Sequence, residues 1–147
     1  MDIKSTIQTD LQDAIRHGEE IRKSTLRMTL TAIKLAEVEK GTQLDDAACL
    51  GVIQKEIKSR RESIADAEKA NRPDLIPQLE TEIVVLKGYL PPAFSQEELE
   101  NMAKSAITEA GATSIREMGQ VMKILMPRLQ GRATGDQASQ VVRKFLQ

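Results

Sequence analysis

Apolar residues along the chain recur every three or four positions, the spacing that gathers side chains on one face of an α-helix. Ile3, Ile7, Leu11, Ala14 and Ile15 form the first series, and Gly18 follows as a natural stop. In the next, Leu26, Leu30 and Ile33 share one face while Met28, Ala32 and Leu35 share a neighbouring one, up to Gly41. So broad an apolar surface predicts a helix in a central position. Asp45 and Asp46 suit the start of a third helix, whose seam reads Leu50, Ile53, Ile57, Ile64 and Ala67. Its other face holds Glu56 four residues before Arg60 and Lys58 four before Glu62, both favourable exposed pairs. Asn71-Arg72-Pro73-Asp74 breaks the pattern. A fourth helix follows with Leu75, Leu79, Ile83, Leu86 and Leu90, and Pro77 falls in its first turn, where no intrahelical donor is needed.

The run Gly88 to Pro92 is the strongest boundary, because Pro91-Pro92 cannot continue a helix and favours an extended link. Beyond it, three S/T-x-x-E/Q patterns predict helix starts at Ser95 with Glu98, Ser114 with Glu117, and Thr134 with Gln137. The first of these helices turns Leu99, Met102, Ala103, Ala106 and Ile107 inward and ends at Gly111. In the second, Ile115, Met118, Met122, Leu125 and Leu129 form the stripe and Gly131 terminates it; the third buries Ala138, Val141, Val142 and Phe145. No segment alternates with period two for long enough to compete as a strand. The expected fold is all-α, with an N-terminal bundle of about four helices over residues 1–90 and a smaller C-terminal three-helix domain over residues 94–147.

Composition narrows the chemistry. With 40% hydrophobic and 29% charged residues the chain should fold. Phe94, Phe145 and Tyr89 are its only rings, so the core must be aliphatic. The first residues carry no uninterrupted apolar stretch of the signal-peptide kind, and no run is long enough to span a bilayer. The single cysteine, Cys49, fits a reducing compartment, so a cytoplasmic location is expected. The net charge is −1, but residues 116–147 hold 6 basic against 2 acidic side chains, which makes the tail locally basic.

Catalytic machinery is not evident. His17 and Cys49 fall in different helices, the first read as a surface residue and the second as a small core filler. No zinc-ligand spacing, phosphate loop or nucleophile elbow occurs, so neither a metal nor a cofactor is expected. Lys55, Lys58, Arg60 and Arg61 form a secondary basic patch that, interleaved with Glu56 and Glu62, also reads as a solvated helix face. The informative segment runs from Met118 to Gly135. Gly119 is costly inside a helix, and at helical spacing it lies between Arg116 and Lys123. Either a partner approaches this bare backbone, or another helix of the same domain packs there. Pro127 and Gly131 leave Arg128 and Arg132 around a helix terminus and turn, and Arg132 precedes a helix start whose amides favour phosphate. Arg143 and Lys144 add two cations to the last helix. Met118, Met122 and Met126 offer a different reading, an adaptor surface for a protein partner without RNA binding.

The segment MGQVMKILMPRLQGRATG resembles the glycine, methionine and basic motif of the GatB/YqeY-like family. LRMTLTAIKLAEVEK, IQKEIKSRRESIADAEKANRPDL and ETEIVVLKGYLPP extend the resemblance over essentially the whole chain. It implies similarity to the tail of the B subunit of the tRNA-dependent amidotransferase, which helps to hold tRNA while other parts of that enzyme carry the chemistry. Gly119, Lys123, Pro127, Gly131, Arg132 and Gly135 match its motif. The implied partners are tRNA and, with it, amidotransferase or other translation-related proteins. Carbon-nitrogen ligase activity with glutamine as amido-N-donor would belong only to a larger complex. Thr134 stands where the family usually has aspartate; both cap a helix, but only aspartate brings a charge.

Overall fold

The structure, a computed structural model, describes residues 2–147. They form seven α-helices and no strand, and the chain divides into two compact units, Met1–Leu90 and Pro91–Gln147. The first unit contains α1 (Ile3–Arg16), α2 (Glu20–Lys40), α3 (Asp46–Lys69) and α4 (Ile76–Lys87). The second contains α5 (Gln96–Ala110), α6 (Met118–Leu129) and α7 (Gly135–Leu146).

Local chemistry sets the starts and stops in the first unit. Asp2 caps α1 by accepting the Ser5 amide at 2.7 Å, and Asp45 caps α3 by accepting that of Ala48 at 2.8 Å. Gly41 ends α2 in the left-handed region, φ 74°, where a Cβ would be strained. Pro77 sits in the first turn of α4, where it removes no needed donor.

The core of this unit is aliphatic: Ile7, Leu26, Ile33, Ile53, Ile57, Ile83 and Leu86, with Cys49 as a buried filler. Burial pushes the Cys49 thiol above its ordinary value, so it is held protonated. Helix α2 packs against α1, α3 and α4, which accounts for its central place, but only part of its apolar surface is used. The face of Leu26, Thr29 and Ile33 is buried, and the Thr25 and Thr29 hydroxyls are satisfied by donating to the carbonyls one turn back. Met28 and Leu35, expected to share in the core, are exposed, because no element of this unit covers that flank.

Arg60 also departs from its expected place. It is 5% exposed instead of solvated, donating to Glu56 at 2.7 Å and to Glu82 of α4 at 3.3 Å, with the Met28 sulfur 3.9 Å from its other terminal nitrogen. The exposed i,i+4 pair read from sequence is one edge of a buried ion network. Separately, Arg22 gathers Asp13 and Glu19, and Tyr89 donates to Asp10 at 2.6 Å, closing the end of the unit onto α1. Lys4 donates to Glu37 at 2.8 Å, and the other Glu37 oxygen accepts the Leu44 amide.

The second unit packs Leu99, Ala103, Ala106, Val121, Leu125, Leu129, Ala138, Val141, Val142 and Leu146 into a separate core. Capping boxes form at Ser95 with Glu98 and at Thr134 with Gln137. None forms at Ser114. Residues Ile115–Glu117 make a 3₁₀ turn ahead of α6, and the Glu117 carboxylate accepts instead from the amide and hydroxyl of Thr113.

Two measurements test this packing. Arg60→Ala strands two carboxylates, one of them buried, and should lower the stability of the first unit by about 3 kcal/mol in urea denaturation. Arg60→Met combined with Glu82→Leu should recover most of that loss; a double variant as unstable as the single one would show that the ion pair is not the cause. The second concerns acid. The hydrogen bond from Lys4, followed by that from the Leu44 amide, holds the Glu37 carboxyl below its usual value near 4.5. Its contribution is therefore complete above the unfolded value and is lost as pH falls through the lower folded one. Thermal melts between pH 3 and 6 should show a shallower acid loss for Lys4→Met than for the parent chain.

Candidate nucleic-acid interface

Helix α6 positions the site. It buries Val121, Leu125 and Leu129, which turns Gly119, Gln120, Lys123, Met126 and Pro127 to solvent. The preceding 3₁₀ turn brings Arg116 to the start of this face. Arg116, Gly119, Lys123 and Pro127 thus follow one another in steps of three or four along a single exposed row.

The structure separates the two readings of Gly119. A Cβ built there meets nothing within 4 Å, so no other helix of the second unit packs against the bare backbone. Gly119 lies in the first turn of α6, and neither its backbone angle nor a neighbour demands glycine. Pro127 has no N–H, so the Lys123 carbonyl loses the donor that a regular helix would offer it. The face therefore presents bare backbone, an acceptor without its helical partner, and the cations Arg116 and Lys123, neither of which forms an ion pair among the described residues.

Other expected site residues have structural duties. Arg132 stacks on Phe94 at 4.1 Å and donates to the Pro92 carbonyl at 2.8 Å, while the Phe94 amide donates back to the Arg132 carbonyl. This guanidinium fastens the entry of the unit to the turn before α7. Arg128 pairs with Glu109 of α5. Lys144 pairs with Glu100 at 2.8 Å, which holds that carboxyl below its ordinary value, and both Lys104 and Lys144 lie over the Phe145 ring. Arg143 is exposed on α7.

The helix start at Thr134 is less open to anions than its amides alone suggest, because the capping box occupies the Gln137 amide and Asp136 adds a negative charge to the first turn. Gln130, not only Gly131, adopts the left-handed conformation that ends α6, with φ 47° against 77°. Gly135 lies against Met126: a Cβ there would be 3.3 Å from its terminal methyl, a tight contact with the far end of a flexible, exposed side chain. Met118 and Met122 pack against the core, which leaves Met126 as the exposed methionine of the three and removes most of the expected adaptor stripe.

In the secondary patch, Lys55 and Arg61 are exposed, Lys58 is engaged within the chain, and Arg60 is buried. The four do not form one cationic surface. His17 is exposed beside Asp13. Among the described residues no group of histidine, cysteine or acidic side chains could hold a metal, and no helix is long and apolar enough to cross a membrane.

These features define an all-α protein of two units, the second presenting a cationic, glycine-bared helix face. The chain belongs to the YqeY-like family, whose description as Yqey-like protein matches residues 4–146. It is 33% identical over 112 residues to "Altered inheritance of mitochondria protein 41, mitochondrial" of Lachancea thermotolerans, covering 74% of this chain and 60% of that protein. With the protein of the same name from Pyrenophora tritici-repentis it shares 32% identity over 129 residues, covering 86% of this chain and 71% of the other. An uncharacterized protein of Schizosaccharomyces pombe is 30% identical over 89 residues, 60% of this chain and 72% of its own length. The matched region spans less than two thirds of the Lachancea protein.

Two substitutions distinguish packing from contact at this site. Gly119→Ala should leave the second unit folded and stabilise it by roughly 0.5 kcal/mol, since the space is open and alanine favours the helix. Arg132→Ala should destabilise the same unit by about 1–2 kcal/mol through loss of the Phe94 and Pro92 contacts. Chemical denaturation followed by circular dichroism reads both; an Arg132→Ala chain as stable as the parent would return that residue to the binding surface.

Proposed function

We propose that this chain is a tRNA-binding helper protein, associated with tRNA-dependent amidotransferase or related translation factors, which grips RNA through the exposed face of α6. The observation that carries the proposal is the row of Arg116, Gly119 and Lys123: two cations without ion pairs among the described residues flank backbone that no other element of the second unit approaches. Such a face admits a sugar-phosphate strand closely, with guanidinium and ammonium on phosphate oxygens and the Lys123 carbonyl available to a ribose 2′-hydroxyl.

Recognition by base stacking is not part of the reading. Phe94 and Phe145 are overlaid by the chain's own cations, and Tyr89 is engaged with Asp10. Shape and backbone contacts would have to dominate, with a steep dependence on salt. Arg143 belongs to the proposed surface as an outlying contact, whereas Arg128, Arg132 and Lys144 are engaged with partners in their own unit. Amide transfer with glutamine as donor is assigned to partner subunits. The reducing, cytoplasmic setting suggested by the buried reduced Cys49 is part of the same proposal.

A gel-shift titration with tRNA at low salt tests it. The parent chain should bind, and Arg116→Ala with Lys123→Ala should weaken binding and reduce the slope of log K against log salt by roughly 1.5, the share of two phosphate contacts. Gly119→Phe should weaken binding at an unchanged salt slope, because it obstructs approach without removing charge. Absence of tRNA binding at low salt, or binding indifferent to all three substitutions, would sink the proposal.

A further inference from the structure

The Arg60 guanidinium is answered unevenly. Its Nε donates to Glu82 at 3.3 Å, and its Nη1 donates to the Glu56 carboxylate at 2.7 Å and to the Glu56 carbonyl at 3.1 Å. The remaining nitrogen, Nη2, carries two N–H groups, and among the described residues its acceptor is the Met28 sulfur at 3.9 Å. A thioether accepts only weakly, so one end of a buried cation faces a poor acceptor where its other two nitrogens meet carboxylates.

The sulfur belongs to a side chain that solvent reaches. Met28 is 52% exposed on the uncovered flank of α2, against 45% for Met126 in the second unit, so the two are matched in access. They differ in surroundings: no hydrogen bond to the Met126 sulfur forms among the described residues. Met28 is also the only methionine of the first unit among the described residues.

We propose that Met28 is an oxidation site, at which a hydroperoxide converts the thioether to a sulfoxide and Arg60 holds the product. The sulfur lone pair attacks the terminal peroxide oxygen, and the S–O bond forms as the O–O bond breaks. The departing oxygen keeps the bonding pair, takes the proton from the transferred oxygen and leaves as water or an alcohol. Sulfur is oxidised by two electrons and the peroxide is reduced by two. An S–O bond of about 1.5 Å directed into the 3.9 Å gap puts the new oxygen about 2.8 Å from Nη2, an ordinary hydrogen-bond length, with an S–O···N angle of roughly 130°. Nη2 then donates a charge-assisted bond to a strongly polar acceptor. Oxidation here completes the buried network, whereas in an apolar core it disrupts packing. It also makes polar the centre of an exposed apolar row, Ile21, Met28 and Leu35, and a sulfoxide reductase reverses it. The site lies on the first unit and is independent of RNA binding.

Hydrogen peroxide titration of the full folded chain, read by peptide mass spectrometry and by calorimetry, tests the assignment. Met28 should convert at least as fast as Met126, and the first unit of the oxidised chain should melt about 4 °C higher than that of the untreated one. Met28→Leu should abolish the rise. Met28→Gln, which carries a carbonyl oxygen on the atom that replaces sulfur, should reproduce it without oxidant and should raise nothing when Arg60→Leu and Glu82→Leu are also present. Met28 lies at the surface, so both of its variants keep the fold. A Met28 that stays reduced while Met126 is converted overturns the proposal. So does an oxidised first unit that melts no higher than the untreated one, or a Met28→Gln effect that persists without Arg60.

Discussion

A guanidinium buried among aliphatic side chains must be answered by carboxylates at fixed positions, and Arg60 imposes that condition on the first unit. Its partners come from its own helix at Glu56 and from α4 at Glu82, with the Met28 sulfur of α2 against it. A core of isoleucine and leucine tolerates sliding, since one branched aliphatic residue replaces another at little cost. An ion pair does not. Sliding α4 by one turn along α3 would strand Arg60, so this contact selects one register among several that hydrophobic burial alone would accept. Glycine-ended and acid-capped helices supply the elements; the buried charge decides how three of them meet.

In the second unit the equivalent constraint is local. Two capping boxes start α5 and α7, and the stack of Arg132 on Phe94 holds the turn between α6 and α7 against the extended segment that enters the unit. No buried charge is involved. Alanines 103, 106 and 138 bring the three helices close enough for Val121, Leu125 and Val142 to be fully enclosed. Cations cover the two phenylalanine rings, and the exposed face of α6 is defined by backbone and charge together with Met126, while Ile115, expected in the buried stripe, is exposed in the 3₁₀ turn before the helix.

The all-α fold was legible because its signals are local. The stops at Gly41 and Gly111, the first-turn Pro77 and the boxes at Ser95 and Thr134 each act within a turn, and each forms as the residue types indicate. Errors arose where a side chain had a choice. Glu117 could close a box with Ser114 or accept from Thr113, and the 3₁₀ turn favours the latter. Arg60 showed its i,i+4 partner in the pattern but not Glu82, 22 residues away, so a buried network resembled a surface pair. The same limit applies at the candidate site: spacing placed Gly119 between Arg116 and Lys123, but only the structure shows open space over it and an internal duty for Arg132.

The scarcity of rings has an optical consequence. Tyr89 is the sole tyrosine, tryptophan is absent, and the phenol is half-buried in the first unit with its hydroxyl donating to the Asp10 carboxylate. Burial, with the neighbouring carboxylate, pushes that phenol well above its ordinary range, so it stays protonated. The second unit has only phenylalanines, which scarcely contribute beyond 280 nm. Tyrosine absorption and emission therefore belong to one unit alone, and the chain carries a built-in label by which the opening of its first bundle can be followed separately from that of its second.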